Sequence, residues 1–136
     1  MKYLVVSDSH GDKAILQKLV TAYAGKVDLM LHCGDSELPV TDEVFKYFKV
    51  VRGNCDYDLD LQDEQFFDRG QDKILLVHGH LLGVGFGLGG LQAKMDELGA
   101  NMAFFGHTHQ LGVEVINGKL LLNPGSISYP RGKYTA

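Results

Sequence analysis

The chain has 136 residues, with 13 Lys or Arg against 17 Asp or Glu, so its formal net charge is −4. This length fits one domain with a hydrophobic core of its own, and the mild acidity argues against a basic surface that coats nucleic acid or holds a membrane. Two cysteines make a poor disulfide framework, and no apolar run approaches the roughly 18 residues of a membrane span. We therefore expect a single cytoplasmic domain over residues 1–136, without a membrane partner or a dedicated nucleic-acid surface.

Apolar segments alternate with amphipathic ones along the chain. Short, continuous apolar runs are typical of buried strands, whereas apolar residues repeated on one helical face predict helices. In chain order the segments are a strand at Tyr3–Val6, a helix at Lys13–Ala24, a strand at Leu29–Leu31, a helix at Thr41–Phe48, strands at Val50–Val51 and Ile74–Val77, a helix at Leu91–Leu98, and strands at Ala103–Phe105, Val113–Ile116 and Leu120–Leu122. Strands that alternate with helices favour an α/β fold.

Three segments between these elements have distinctive compositions. Asn117-Gly118 separates the last two strands and is a strong hairpin signal, which indicates two mixed sheets rather than one doubly wound sheet. The glycine-rich run from Gly83 to Gly90 is expected to form a mobile loop with little side-chain packing. The acidic stretch from Asp56 to Asp68 is expected to be a solvated rim.

Potential metal ligands follow five of the apolar strands directly. Open α/β sheets build their sites at the carboxyl ends of the strands, so these side chains are expected to meet there. In extended backbone, residues two apart point the same way, so Asp8 with His10, and His107 with His109, are expected to face one pocket. The candidate metal ligands are Asp8, His10, Asp35, Asn54, His78, His107 and His109.

The types of these residues define the metal chemistry. Imidazole nitrogen combined with carboxylate and amide oxygen suits divalent ions such as Mn, Zn, Fe or Ni. The ligand set exceeds what a single tetrahedral ion uses, which indicates two adjacent ions. Gly34 and Gly106 each stand just before a ligand, where glycine allows close approach of the backbone.

Taken one at a time, the motifs have plainer explanations. Asp8-Ser9-His10 alone suits a strand end followed by a helix cap, and Gly34-Asp35 alone suits a turn. His32 is expected to be a satisfied core histidine, and Asp56 a turn residue or a support for the ligands. Two roles are left open for His80: a contact with the phosphate, or a solvated side chain without a function.

As a set, five motifs in order resemble the calcineurin-like metallophosphoesterase superfamily, and more closely its small bacterial and archaeal phosphodiesterase branch. The similarity runs from Met1 to about Pro130 and rests on Asp8-x-His10, Gly34-Asp35, Gly53-Asn54-x-Asp56, His78-Gly79-His80 and Gly106-His107-x-His109. The resemblance implies a two-sheet α/β/β/α sandwich with mixed sheets and a metal site at the strand carboxyl ends. It also implies that Asp8, His10 and His109 hold one ion, that Asn54, His78 and His107 hold the other, and that Asp35 bridges both.

The reaction implied by the resemblance is metal-dependent hydrolysis of a phosphodiester by in-line displacement, with a hydroxide held between two divalent ions. Manganese is the first choice, and nickel, zinc, iron or magnesium are alternatives. Asp35 and Asn54 are the expected catalytic residues, and His80 and Cys55 the expected substrate-binding ones. Many members of the superfamily have histidine where this chain has Cys55, and a thiol is a poorer acid for protonating a leaving group.

Other functions and a longer fold remain open. The same site suits a phosphomonoesterase or a nucleotide hydrolase, and a protein-binding scaffold is known on this architecture in the phosphoesterase-like subunit of the retromer coat. That relative has degraded ligands, whereas none of the seven is replaced here. Relatives usually continue into further strands after Asn123-Pro124-Gly125-Ser126, and the tail Gly132–Ala136 is expected to begin one. The expected partner is a small phosphate ester, and homo-oligomerisation is left open.

Overall fold

The computed structural model describes residues 2–129, so the expected tail strand at Gly132–Ala136 lies outside the described residues. In chain order the elements are β1 (Tyr3–Val6), α1 (Lys13–Tyr23), β2 (Leu29–His32), β3 (Phe48–Val50), β4 (Glu64–Arg69), β5 (Asp72–Val77), α2 (Gly89–Leu98), β6 (Met102–Phe104), β7 (Leu111–Ile116) and β8 (Lys119–Pro124). Two short 3-10 turns cover Glu43–Lys46 and His80–Leu82. No helix between residues 2 and 129 is long and apolar enough to cross a bilayer. The expectation of a single domain over residues 1–136 stays a prediction.

The strands form two sheets whose parallel strands end level with one another. The first sheet has the order β1-β2-β3 and is parallel, and the second has the order β4-β5-β6-β8-β7 and is mixed. Val6 pairs with His32, and His32 pairs with Val50, so the loops after these strands leave from one edge. In the second sheet Phe104 lies level with Leu76 and with Leu122. This common edge is where the candidate ligands follow the strands.

Four layers result from the alternation of side chains along the strands. Leu16 of α1 and Phe48 of β3 belong to a buried cluster on the outer face of the first sheet. In β5, Ile74 faces the space between the sheets, whereas Leu75 faces the layer of α2 with Met95. The predicted α/β/β/α sandwich with mixed sheets is therefore confirmed.

The prediction of a helix over Thr41–Phe48 is wrong except for one short 3-10 turn at Glu43–Lys46. Phe48 instead begins β3, in which Phe48 and Val50 are buried and Lys49 is exposed. Phe48 is buried against the first sheet as part of β3 and not as part of a helix. The strand predicted at Val50–Val51 therefore begins two residues earlier, at Phe48.

The acidic stretch and the glycine-rich run also differ from expectation. Glu64–Arg69, expected to lie on a solvated rim up to Asp68, forms edge strand β4 and pairs antiparallel with β5. In the glycine-rich run, Val84 is buried in the core and α2 already begins at Gly89, so the expected loop with little packing is shorter than predicted. β4 thus depends on pairing with the strand that follows it, and Val84 on contacts with the surrounding core.

Candidate metal site

Loops from the strand ends bring all seven predicted ligands to one place. Asp8, Asp35 and His78 have potential ligand atoms within 4.8 Å of one another, and so do Asp8, His10 and His109. Asn54 Oδ1 lies 3.0 Å from His78 Nε2 and 3.1 Å from His107 Nδ1. The metal-binding roles of these residues stay predictions, but the convergence on which they depend is present.

One expected reason for the convergence, extended backbone at the paired ligands, is wrong. Asp8, His10, His107 and His109 do not lie in extended backbone, because their φ angles are 55°, 46°, 74° and 61°, and that of Asp35 is 56°. This left-handed region is uncommon for residues other than glycine, and strain of about 1–3 kcal/mol each is typical of functional sites. Backbone hydrogen bonds hold the turns in place: Asp8 N–H donates to Gly34 O over 3.0 Å, and His10 N–H donates to Asp35 O over 2.9 Å.

Gly34 and Gly106 allow the close approach that the sequence predicted. A Cβ atom on Gly34, whose φ is 104°, would lie 2.8 Å from His78 Nδ1. A Cβ atom on Gly106 would collide with Ser7 Oγ and with the carboxylate of Asp8. Any side chain at either position would therefore push a candidate ligand out of the cluster.

Three histidines are oriented by an oxygen atom behind the ring. The Nδ1 atom lies 2.8 Å from Cys33 O in His78, 2.9 Å from Glu37 Oε1 in His10 and 3.0 Å from Tyr129 O in His109. Carbonyl and carboxylate oxygens only accept, so each Nδ1 carries the proton and donates it. In its neutral form, each of these rings therefore turns the lone pair of Nε2 towards the cluster, as metal-binding histidines do.

These lone pairs face carboxylate oxygens. Asp8 Oδ1 is buried without a hydrogen-bond partner within residues 2–129, and it lies 3.3 Å from His109 Nε2 and 3.8 Å from the Nε2 atoms of His10 and His78. Asp35 Oδ2 lies 3.2 Å from His78 Nε2 and 3.9 Å from His10 Nε2, so its carboxylate stands between the two histidines. Acceptors that converge without a donor are costly unless a proton or a cation lies among them. The donor set therefore fits divalent metal ions.

The two carboxylates differ in their electrostatics. Burial raises the pKa of Asp8 and outweighs the opposing effects of His78 and the Ser7 hydroxyl. Burial also acts to raise the pKa of Asp35, but hydrogen bonding to His78, its positive charge and the Cys55 N–H together hold that pKa well below its usual range. Burial opposes protonation of His78, yet Asp35 and Asp8 raise the pKa of its imidazole. In the cluster, Asp35 thus stays ionised, whereas the charge of the Asp8 carboxylate is not fully compensated.

Asp56 supports the candidate ligands, which was one of the two roles expected for it. Its Oδ2 accepts from Gly53 N–H over 2.7 Å and from Asp35 N–H over 2.9 Å, and its Oδ1 accepts from Glu37 N–H over 2.7 Å. Asp35 and Glu37 both have left-handed backbone. A single carboxylate therefore fixes the strained turn that presents Asp35 to the site.

Sequence reasoning missed a second support, formed by the residues after β8. Ser126 Oγ donates to Asp8 O over 2.7 Å, and Ser128 Oγ donates to Ser9 O over 3.0 Å. Glu37, which orients His10, was missed as well. Serine is common in turns and glutamate is a frequent surface residue, so nothing in their local sequence marks these contacts, which span up to 119 positions.

Asn123 lies near the end of β8, and its side chain supports the turns beside it. Its Oδ1 accepts from Gly125 N–H over 2.8 Å, and its Nδ2 donates to Gly106 O over 3.1 Å and to Thr108 Oγ1 over 2.9 Å. The side chain thereby fixes the turn that contains His107 and His109.

His32 is a satisfied core histidine, as predicted. It is completely buried, and its Nδ1 accepts from Gly34 N–H over 3.0 Å. The proton is therefore on Nε2, which donates to Ser9 Oγ over 2.9 Å. Burial, with a smaller effect of the His78 charge, lowers the pKa of His32 to about 3.

Cys55 and His80, the expected substrate contacts, lie on two sides of the cluster. Cys55 lines a cavity of about 670 Å³ together with His10, Asn54 and His107, and burial and the Asp35 carboxylate raise its pKa to about 11. The His80 ring lies 5.4 Å from that of His78, and it lines a neighbouring cavity instead. Burial, followed by the His78 charge, lowers the pKa of His80. Their roles towards substrate stay predictions.

Comparison with known proteins agrees with this geometry. The sequence model of the calcineurin-like phosphoesterase superfamily domain matches residues 1–136. The probable metallophosphoesterase YsnB of Bacillus subtilis is 45% identical over 135 residues, covering 99% of this chain and 80% of that protein. A conserved Streptococcus pneumoniae protein, described as a predicted phosphoesterase, superposes with a TM-score of 0.94 at 37% identity, over 98% of this chain and 76% of its own. Vps29 of Entamoeba histolytica, solved in complex with Zn²⁺, gives a TM-score of 0.73 at 26% identity, over 96% of this chain and 78% of its own.

Proposed function

This chain belongs to the calcineurin-like phosphoesterase superfamily, and we propose from that premise that it hydrolyses phosphodiester bonds at a pair of divalent cations, manganese being the first choice. The observation that carries the proposal is Asp8 Oδ1, buried without a partner among the described residues and faced by three histidine Nε2 atoms. We assign one ion to Asp8, His10 and His109, the other to Asn54, His78 and His107, and a bridging position to Asp35.

Divalent cations bound at such a cluster supply Lewis acidity, which lowers the pKa of water towards neutrality and neutralises phosphoryl oxygens. The Cys55 N–H donates to Asp35 Oδ1 over 2.8 Å, which favours the ionised form of this carboxylate. Asn54 turns Oδ1 to the histidines, which leaves Nδ2, 3.7 Å from Cys55 Sγ, on the cavity side to donate to a phosphoryl oxygen. No side-chain nucleophile is required.

Two features of the cavity favour a diester. None of the described residues that line it is Lys or Arg. A monoester brings about 1.5–2 negative charges near pH 7, and Lys or Arg side chains commonly pair with them. A diester brings only one negative charge, so it needs fewer such partners. Cys55, with a pKa of about 11, is a weak acid at neutral pH. The leaving group must then depart with little help from a proton donor, which favours acidic alcohols such as phenols.

The test is hydrolysis of bis(p-nitrophenyl) phosphate by metal-free protein to which Mn, Ni, Zn, Fe(II) or Mg is added separately. In Asp35→Asn an amide replaces the bridging carboxylate, and we expect kcat/KM to fall by about 100-fold or more. Asp68→Asn, which changes an exposed carboxylate on β4, is the matched control and should keep full activity. Full metal-dependent activity in Asp35→Asn would refute the bridging role.

A protein-binding scaffold is the second candidate, favoured by the similarity to Vps29. The Vps29 of Entamoeba histolytica was solved with Zn²⁺, so cation binding alone does not separate a scaffold from an enzyme. Hydrolysis does. A wild-type protein that binds cations but cleaves neither phosphodiesters, phosphomonoesters nor nucleotides would support the scaffold and end the enzymatic proposal.

A further inference from the structure

A second cavity of about 700 Å³ lies beside the metal cluster and has no part in the reaction described above. One wall is the segment from Leu59 to Glu64, and the other is the turn from Gly79 to Leu82, with Lys94 of α2 at the rim. The turn is held by Gly90, at which a Cβ atom would collide with the carbonyl of Leu82. The wall that this turn forms is therefore held close against α2.

His80 connects this cavity to the metal cluster. Its ring lines the cavity, and it lies 5.4 Å from the ring of His78 and 6.3 Å from that of His107. Its Nδ1 is buried and has no hydrogen-bond partner among residues 2–129. The cavity therefore adjoins the metal cluster, with the ring of His80 between the two.

Apolar side chains line part of the floor and part of the rim of this cavity, beside its charged residues. Leu61 and Val77 are each only 4% exposed and form part of the lining. Leu59 and Leu81 are 80% and 65% exposed, on opposite walls. Exposed apolar side chains around a concave surface are typical of a site that takes an apolar group.

The charges of the lining do not favour an anion. Arg52 donates to Asp63 Oδ1 from Nε over 3.0 Å and from Nη2 over 2.7 Å, and Lys94 Nζ lies 3.3 Å from Glu64 Oε1. Both cations in the lining are thus already paired, and Asp60 adds a further negative charge. A second phosphate would meet net negative charge here.

We propose that this cavity binds an apolar, uncharged ester substituent of the substrate while the phosphate lies at the metal cluster. The placement of the phosphate rests on the proposed function. The substrate class is then a phosphodiester with an aryl or alkyl substituent, and not an oligonucleotide, whose next phosphate would lie against Asp60, Asp63 and Glu64.

The test compares the binding of diphenyl phosphate and dimethyl phosphate to the metal-loaded protein by calorimetry. In the double variant Leu59→Ser, Leu81→Ser, which changes two exposed side chains, we expect the Kd of diphenyl phosphate to rise about tenfold, because contacts with apolar groups in a pocket are worth factors of this order. The Kd of dimethyl phosphate should change by less than about twofold, the scale of a neutral surface substitution. Phe86→Ser, at a fully exposed residue outside both cavities, is the matched control and should leave both unchanged.

Equal weakening of both ligands, an unchanged Kd for diphenyl phosphate, or no binding of diphenyl phosphate to the wild type would each overturn the proposal. Hydrolysis of bis(p-nitrophenyl) phosphate and of methyl p-nitrophenyl phosphate, measured in parallel, separates the two proposals. If the wild type cleaves neither but binds diphenyl phosphate through Leu59 and Leu81, the proposed function fails and the assignment of the cavity stands. If the double variant cleaves both as the wild type does and binds diphenyl phosphate unchanged, the assignment of the cavity fails and the proposed function stands.

Discussion

The Nε2 atoms of His10 and His109 lie 3.1 Å apart, although each ring already donates its Nδ1 proton to an oxygen. In the neutral rings both Nε2 atoms carry lone pairs, and Asp8 Oδ1 lies 3.3 Å from that of His109. Three acceptors at these distances repel one another unless a proton or a cation lies between them. The cluster is therefore a source of instability without metal and a source of affinity for it.

Asp8→Asn should separate these two effects. The amide NH₂ of asparagine can donate to the histidine lone pairs and removes a buried charge, so we expect the metal-free variant to be at least as stable as the metal-free wild type. We expect the wild type to gain about 2.7 kcal/mol of stability from Mn²⁺ at about a hundred times its Kd, and the variant to gain far less. Thermal unfolding with and without Mn²⁺ measures both.

Asp68→Asn is the control, since its carboxylate is exposed and contacts Lys73 and Gly70 N–H, away from the cluster. It should respond to Mn²⁺ as the wild type does. An Asp8→Asn variant with a full response to Mn²⁺ would show that the orphaned carboxylate oxygen takes no part in cation binding.

Asp56→Ala should weaken metal binding without removing a ligand. It deletes the acceptor for the N–H groups of Asp35, Glu37 and Gly53, so we expect a loss of about 2–4 kcal/mol of stability. The strained turn at Asp35 also loosens, and supports of this kind are worth about 10–100-fold in metal affinity. Urea unfolding of the metal-free protein and calorimetry with Mn²⁺ are the measurements.

Asp58→Ala is a matched control, because Asp58 accepts from Val40 N–H and Asp60 N–H in a similar turn that holds none of the seven ligands. It should lower stability but leave Mn²⁺ affinity unchanged. Equal loss of affinity in the two variants would mean that Asp56 acts only through general stability.

Cys55→His should broaden the range of esters cleaved. The pKa of Cys55 is about 11, whereas an ordinary imidazole has a pKa of about 6.5 and can donate a proton to a departing alcohol at neutral pH. General acid catalysis contributes about 10²–10⁴-fold, and we expect a gain towards the lower end for alkyl esters. The measurement is kcat/KM for alkyl and aryl phosphodiesters.

Cys55→Ser controls for the loss of the thiol, since a hydroxyl of similar size is no better as an acid. Its preference for aryl over alkyl esters should match that of the wild type. If Cys55→His also keeps this preference, protonation of the leaving group is not what limits the cleavage of alkyl esters.

His32 should make folding sensitive to acid. Its pKa is about 3 in the folded protein and 6.5 in the unfolded chain. Because the folded pKa is depressed, the contribution to stability is complete above pH 6.5 and is lost as the pH falls from 6.5 towards 3, by about 1.4 kcal/mol per pH unit. Urea unfolding at a series of pH values in this window measures the loss.

Other groups titrate in the same window, so NMR of the ring nitrogens provides the direct check on His32. In folded protein at about pH 5, well below the reference pKa of His, the ring should remain neutral with its proton on Nε2. Protonation of both nitrogens at that pH in the folded state would contradict the prediction.

The sequence by itself determined the strands that carry the site and the identity of the residues at their ends. Buried parallel strands such as β2 and β6 need continuous apolar runs, and these runs are visible without knowledge of their neighbours. The close backbone approach at Gly34 and Gly106 could also be predicted from the sequence, because a residue without a side chain stands directly before a candidate ligand at both positions. The pattern of apolar runs and of the residues that follow them was therefore enough to predict that all seven candidate ligands lie at one edge of the sheets.

Only the tertiary structure decided how those ligands are held. The left-handed backbone at Asp8, His10 and Asp35 is stabilised by hydrogen bonds between separate loops, and the Nδ1 proton of His109 is fixed by the carbonyl of Tyr129, 20 residues away. Such interactions depend on which segments the fold brings together, and no pattern within a single segment encodes them.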